Sequence, residues 1–298
     1  MHKDAPKLLD TLWQLQKDPD FAAGDILLTT ELSADEGQAL QLQLLERWLN
    51  EGETLGGWKI GMTSGESRDA LGAGIRPFGF VLASRMLGTG ADIPRAHLYR
   101  GGVENELCFV IDSPLGENAT AESARAAVRH AAPGFEINQK RLPPGCNAGV
   151  RVADNLSNWG IVAGTGVDAP ANLSDLAVTL YRNPSDADPR NEETVGCVES
   201  AGHIDDHYES LATLARRLHD FGHALQPDQW VITGAYEKHP FEVGEFRGHF
   251  SQGIGDVRGD PQHLTLRMIV YPKFRAWASI CRVVDGEHTN GGRPKPER

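Results

Sequence analysis

Several features that mark whole protein classes are missing from this sequence. Its four cysteines, Cys108, Cys146, Cys197 and Cys281, are widely scattered with no Cys-x-x-Cys pair. That spacing fits reduced thiols and supplies neither a disulfide framework nor a zinc ribbon. No run of about 18 apolar residues occurs, so no membrane-spanning helix is expected. The start, Met1-His2-Lys3-Asp4-Ala5-Pro6, lacks the basic-then-apolar layout of a secretory signal, and the expected compartment is the cytoplasm. Positive charge is scarce too: 29 Lys and Arg against 41 Asp and Glu leave a formal net charge of -12. With no general basic surface, neither nucleic acid nor anionic membrane is the expected partner, and a small molecule is. There is no Gly-x-Ser-x-Gly elbow and no Gly-x-x-x-x-Gly-Lys loop, which removes support for a serine hydrolase of that fold or a nucleoside triphosphatase. His203/His207 and His219/His223 have four-residue spacing but frame no His-Glu-x-x-His, so surface or capping roles are expected for them. Gly164-Thr165-Gly166 imitates a dinucleotide fingerprint, yet Pro170 and Asn172 follow where its helix would start.

What the sequence does hold is enough apolar content for a large core: 298 residues, 40% of them hydrophobic, make one large or two modest domains. Leu8, Leu9, Leu12 and Leu15 recur at helical spacing and stop near Asp18-Pro19. Ser33-Ala34-Asp35-Glu36 reads as a capping box, with Leu40, Leu44, Leu45, Trp48 and Leu49 on one stripe and Gly52 as the stop. From Leu55 the texture changes to short strands punctuated by glycine, over 57–63, 76–82, 102–111, 135–137, 161–163, 176–180, 230–234, 244–250 and 264–270. A turn of helix is expected over 64–71. Thr120 is positioned to cap an alanine-rich helix through Ala131, broken by Pro133-Gly134, and a long helix is expected over 207–221. Two helices alone bury too little surface to stand apart, so residues 1–52 are expected to pack on a sheet domain spanning 53–271. The polar stretch 285–298 is expected to be a disordered tail.

The chain is organised around Gly102 to Ile111. In a strand Glu104 and Glu106 project from the same side, about 6 to 7 Å apart at their stems. Carboxylates so placed can share one ion, although a half-exposed strand with a polar face gives the same pattern. Lys59 stands between Trp58 and Ile60 on a face otherwise lined by Gly61 and Thr63, which leaves room beside its ammonium, though a strand lysine by default snorkels to solvent. Glu136 lies between Phe135 and Ile137 and faces away from both, a third candidate ligand.

Five stretches, Gly57-Trp58-Lys59-Ile60-Gly61-Met62-Thr63, Glu104-Asn105-Glu106, Phe135-Glu136, Asp154-Asn155-Leu156-Ser157 and Ile232-Thr233-Gly234-Ala235, stand in the order and spacing of the fumarylacetoacetate hydrolase superfamily. The chain most resembles its 2-oxopent-4-enoate (2-hydroxypenta-2,4-dienoate) hydratases and the related 4-oxalocrotonate decarboxylases, over about residues 8–271. The resemblance implies an α+β fold around a large mixed, curled sheet, a Mg²⁺ or Mn²⁺ ion, and a homo-oligomer. It places Glu104, Glu106 and Glu136 at the metal ligands and Lys59 at the catalytic lysine. Asp154, Asn155, Ser157 and Thr233 become candidates for the substrate-binding wall. A hard ion with three carboxylates keeps positions open for the carboxylate and keto oxygens of a 2-oxo acid, which agrees with the carry-over.

Two departures bear on the substrate. The hydratases usually carry Pro-Asp-Phe-Gly where this chain has Arg76-Pro77-Phe78-Gly79, so their acid is missing and an arginine is nearby; this allows a different proton donor, or a dicarboxylate substrate with Arg76 as the candidate for its second carboxylate. The segment Tyr236-Glu237-Lys238-His239-Pro240 is bulkier and more polar than expected. The implied function is a metal-dependent hydratase of 2-hydroxydienoic acids in the catabolism of aromatic or related compounds. A decarboxylase of an unsaturated 2-oxo dicarboxylate is the runner-up. C–C bond hydrolysis comes third, and a catalytically silent metal-binding or scaffold homologue is the alternative from another class.

Overall fold

A computed structural model describes residues 3–91, 93, 99–184, 191–242 and 245–257. The chain runs α1 (Ala5–Lys17), α2 (Ile26–Thr29), α3 (Ala34–Asn50), β1 (Leu55–Ile60), β2 (Phe78–Leu82), β3 (Met86–Gly88), β4 (Gly102–Ile111), α4 (Ala121–Ala126), β5 (Val128–Asn138), α5 (Ala148–Ala153), β6 (Asn158–Ala163), β7 (Ala177–Asn183), β8 (Glu193–Glu199), α6 (His207–Asp220), β9 (Trp230–Pro240), β10 (Glu245–Phe250) and β11 (Gly255–Val257). This is an α+β fold. Seven strands form one sheet in the order β2-β1-β9-β4-β5-β6-β3, and four form a second in the order β11-β10-β7-β8. The large sheet is mixed, because β1 with β9 and β3 with β6 are parallel while its other pairs are antiparallel.

The strand order requires the large sheet to curl. Strands β2 and β3 occupy its opposite ends, yet only Ala83–Arg85 separate them in sequence. Seven strands laid flat are roughly 29 Å wide, whereas four peptide steps cover at most about 14 Å. Curling gives the sheet an outer and an inner face, and strand alternation sorts residues between them. Trp58, Ile60, Phe78, Phe80, Leu107, Phe109 and Ile111 face outward into the core shared with α1, α3 and α6. Val103, Phe135, Ile137 and Val162 pack instead against Leu180, Phe246 and Val257 of the small sheet. Val81, Cys108, Ala132, Ile161 and Ile232 fill one end of the interior. The acids of β4 and β5 share the parity of Cys108 and Ala132 and occupy the rest.

The exposed edge of β2 is covered by side-chain amides. Gln38 and Gln41 of α3 donate to the Phe78 carbonyl at 3.2 and 2.6 Å, and the Phe78 N–H donates to Gln38 at 3.0 Å. Two bonds from Asn155 do the same at Phe80. Backbone groups that would template another strand are thereby satisfied. The capping box on α3 forms as expected.

The expected helix from Thr120 through Ala131 stops at Ala126, and Pro133-Gly134 breaks nothing, because both sit inside β5. The Pro133 carbonyl accepts from Gly164 at 2.8 Å. In a strand the N and O of one residue point the same way, so the missing donor faces the end of β6, where no ladder bond is lost. Gly134 is required, since a Cβ there would stand 2.3 Å from the Cys108 sulfur. Over 64–71 only a short 3-10 turn forms, at Gly65–Ser67, and β9 continues past Gly234 to Pro240. The expected strand over 264–270 and the tail 285–298 lie outside the described residues.

Helix α6 docks on β9 through a buried polar chain. His207 hydrogen-bonds Thr233 through Nδ1 at 2.5 Å and the Tyr236 hydroxyl through Nε2 at 2.6 Å, and Tyr236 reaches Ser200 at 2.7 Å. Burial pushes the His207 imidazole from 6.5 down to about 4, with Asp206 opposing the shift.

Two predictions follow from the packing. Gly149 of α5 approaches α3 so closely that a Cβ would stand 2.3 Å from the Leu32 carbonyl oxygen. Gly149→Ala is expected to lower unfolding free energy in urea by about 1–3 kcal/mol, whereas Gly116→Ala, with open space around it, leaves it nearly unchanged. For His207, the unfolded state takes up a proton below its ordinary value of 6.5 while the folded state waits until about 4, so this group's contribution to stability falls as pH falls across that window. Urea titrations at pH 7 and pH 4.5 are expected to show the gap between wild type and His207→Gln narrowing by about 2–3 kcal/mol at the lower pH.

Candidate metal centre and its cavity

Three strands bring the acids and the lysine together. Lys59 leaves the inner face of β1, where its partner across the ladder is Gly79. A Cβ at Gly79 would stand 2.8 Å from Lys59 Cγ, so glycine is what lets the lysine stem lie across β2. Glu104 and Glu106 extend from β4, and register places Glu136 of β5 directly opposite Glu104. Ligand atoms of the three carboxylates lie within 4.8 Å of one another. Lys59 Nζ donates to Glu136 Oε1 at 2.5 Å, with side-chain exposures of 8% and 2%. Irregular pairing of β4 with β9 around Glu106 opens the ladder at this point.

Side-chain amides hold two of the three carboxylates. Asn138 donates to Glu104 at 3.0 Å and Asn158 to Glu136 at 2.9 Å. Glu106 Oε2 is buried with no hydrogen-bond partner among the described residues. Burial first, then repulsion from Glu136, raises the Glu104 carboxyl above its ordinary range and the Glu106 carboxyl well above it. Burial works to lower the Lys59 ammonium, but Glu136, Glu106 and Glu104 outweigh it and the net shift is upward. Three carboxylates and one ammonium leave two uncompensated negative charges, the charge of one divalent cation. All donors are oxygens, as Mg²⁺ and Mn²⁺ prefer, and one oxygen of Glu106 is buried without a partner among the described residues. The residues therefore fit such an ion.

The cluster floors a cavity of about 240 Å³, small beside the roughly 300–1,000 Å³ of drug-sized pockets. Of the residues that sequence reasoning named, Lys59, Glu104, Glu106, Glu136 and Ser157 line it. Ser157 arrives through a left-handed turn, with φ of 57°, 51° and 65° at Asn155, Leu156 and Ser157.

The other candidates lie away from the cavity wall. Asp154 is buried in an ion pair with Arg141 at 3.0 Å, Asn155 is spent on the β2 edge, and Thr233 holds His207. Arg76 pairs with Asp69 at 2.7 Å and Asp205 at 2.8 Å.

Residues that sequence reasoning missed complete the site. Asn138 and Lys140 continue the alternation of Glu136, a period of two that was already visible. Arg141 ties Asp154 to the Asn158 carbonyl at 3.3 Å, and Asn158 reaches Glu136. Nothing in the sequence signals that long-range network. Ser64, Ser67 and Arg151 also line the cavity, beside Thr63, Gly234 and Ala235 of the stretches that the sequence singles out.

No protein-family model matches the sequence. The chain is 29% identical over 209 residues to 2-hydroxyhexa-2,4-dienoate hydratase of Comamonas testosteroni, spanning 69% of this chain and 77% of that protein. It is 27% identical over 229 residues to 4-oxalocrotonate decarboxylase of a Pseudomonas species, spanning 72% and 84%. Among solved structures, 4-oxalocrotonate decarboxylase from Pseudomonas putida G7, complexed with magnesium and adipate, superposes with a TM-score of 0.70 at 19% identity, covering 84% of this chain and 95% of that one. In sequence the chain is a homologue of the 2-keto-4-pentenoate hydratases and 4-oxalocrotonate decarboxylase, and it shares the fold of the solved 4-oxalocrotonate decarboxylase.

Proposed function

We propose that this protein is a divalent-metal-dependent lyase for small 2-oxo and 2-hydroxydienoic acids, and that its reaction is the addition of water to a 2-hydroxy-2,4-dienoate. The observation that carries the reading is the meeting of half-buried Glu104 with buried Glu106 and Glu136 beside Lys59 in one small cavity. The three carboxylates would hold Mg²⁺ or Mn²⁺. Such an ion supplies a chelation point for the carboxylate and 2-oxo oxygens and Lewis-acid stabilisation of the charge that develops there.

The chain's own residues do the rest. Lys59, kept protonated by its acidic neighbours, presents a positive charge to the substrate oxygen on which negative charge collects, in surroundings where water screens little. Asn138 and Asn158 fix the rotamers of Glu104 and Glu136, so the acids do not reorganise when charge moves. Ser157 offers a hydroxyl to the substrate from its fixed turn. Asp154, Asn155 and Thr233 act from beneath, holding Arg141, β2 and His207, and Arg76 clamps segments that border the cavity.

Decarboxylation of an unsaturated 2-oxo acid passes through the same developing charge. The likeness to 4-oxalocrotonate decarboxylase in sequence and fold supports it as the second reading. Release of CO₂ from an unsaturated 2-oxo diacid separates the two.

Mg²⁺ at a hundredfold excess over its Kd is expected to stabilise the wild type by about 2.7 kcal/mol, read as a rise in Tm. Glu106→Gln removes one of three mutually repelling carboxylates. Without metal this variant is expected to be at least as stable as wild type, to lose the Mg²⁺-dependent rise, and to consume the ultraviolet absorbance of a 2-hydroxydienoate at least a hundredfold more slowly. Full turnover in this variant overturns the ligand assignment, and a wild type that binds Mg²⁺ but turns over no dienoate or 2-oxo diacid is a binding protein.

A further inference from the structure

We propose that the wall of the cavity away from the acid cluster is a second carboxylate subsite, formed by Lys140 and Arg151, and that the substrate is accordingly a 2-oxo diacid. This rests on the reading of the acid cluster as the place where a 2-oxo acid binds. Lys140 and Arg151 line the same cavity as Glu104, Glu106 and Glu136. The acids' surplus charge is matched by one divalent ion together with Lys59, so these two cations are additional positive charge on the cavity wall. Both residues are exposed at the cavity, and among the described residues neither has an acidic partner: the Arg151 Nε donates to the Cys146 carbonyl at 3.2 Å. In a chain of net charge -12, two cations left unpaired beside one concavity create a local field that selects an anion.

The spacing suits the far end of a substrate. Lys140 lies four residues beyond Glu136, two past the end of β5, a span of at most about 13 Å, which a six- or seven-carbon acid bridges together with the lysine side chain. Arg151 adds a planar fork that takes a carboxylate by two parallel bonds, whereas Lys140 adds a point charge. The arginine that the sequence first offered for this task, Arg76, is committed to Asp69 and Asp205. A carboxylate gripped by two cations keeps its charge on oxygen, which opposes its departure as CO₂. The subsite therefore favours water addition to an unsaturated diacid over loss of the distal carboxyl.

Calorimetric titration of the full chain with Mg²⁺ tests this, using 2-oxoadipate and 2-oxohexanoate, which share a six-carbon chain and differ in the terminal carboxylate. Wild type is expected to bind the diacid at least tenfold more tightly, with the preference shrinking as salt rises. Lys140→Ala and Arg151→Ala are each expected to narrow the ratio of affinities about threefold or more, the double variant to erase it, and Arg151→Lys to keep part of it. Equal affinities in wild type, or a preference that survives in the double variant, overturn the subsite alone. Binding of neither acid overturns the subsite and the 2-oxo acid reading together. A diacid preference without turnover of any dienoate upholds the subsite and overturns only the lyase assignment.

Discussion

Everything in this structure accommodates one electrostatic difficulty: three carboxylates and a single ammonium gathered where water is nearly excluded. Burying like charges within 4.8 Å of one another is costly, and the upward shifts at Glu104 and Glu106 express that cost. A protein selected for stability alone would replace such a cluster with apolar residues. Its persistence inside an otherwise ordinary core is the physical argument for a ligand that neutralises it. Lys59 does not suffice, because its contact with Glu136 leaves the Glu106 Oε2 buried and unpartnered.

Strand alternation within a curled sheet is what assembles the cluster. One face of each strand must pack on the helices or on the small sheet, so the opposite face turns inward whatever its chemistry. The inner positions nearest the closed end carry Cys108, Ala132 and Gly134, small enough for neighbouring strands to come close. Past them the same parity delivers Glu106, Glu104 and Glu136 to the open end. Gly79 serves this arrangement at the other strand pair, by leaving the space that the Lys59 stem occupies. The left-handed turn at Asn155 to Ser157 joins the two requirements, because Asn155 closes the edge of β2 while Ser157 enters the cavity.

The parts legible in the sequence are those set by a local period. The α+β class, the stripe of α3 with its capping box, the strand at Gly102 to Ile111 and the shared face of Glu104 and Glu106 all follow from spacings of 2 or 3.6. Alternation also offered Lys59 and Glu136 as candidates, each on its own segment, and the resemblance to known relatives joined them to the pair on β4. Illegible were the features decided by distant segments. Pro133-Gly134 is punctuation in isolation, yet lies within β5 because its missing donor faces a strand end. Helix α5 is too short to show a period. Asp154 and Asn155 carry the polarity of a binding wall, but their partners, Arg141 and the backbone of Phe80, come from segments 13 and 75 residues away. Polarity identifies a residue that needs a partner and does not say whether that partner is substrate or protein.

Arg76 shows the same distinction at the point where the chain departs from its relatives. A guanidinium near a 2-oxo acid site invites a role in binding. Its two carboxylate partners instead sit on segments that border the cavity. Asp69 follows Ser64 and Ser67, and Asp205 adjoins the bridge between Ser64 and Ile204, with its own N–H on the Thr63 carbonyl at 2.9 Å. Arg68 adds a further contact to Asp205 at 3.3 Å. One buried arginine thus cross-links the loop that carries Thr63, Ser64 and Ser67 into the wall to the loop at Asp205. The departure alters how firmly that wall is held. It leaves the acid cluster and its immediate partners untouched.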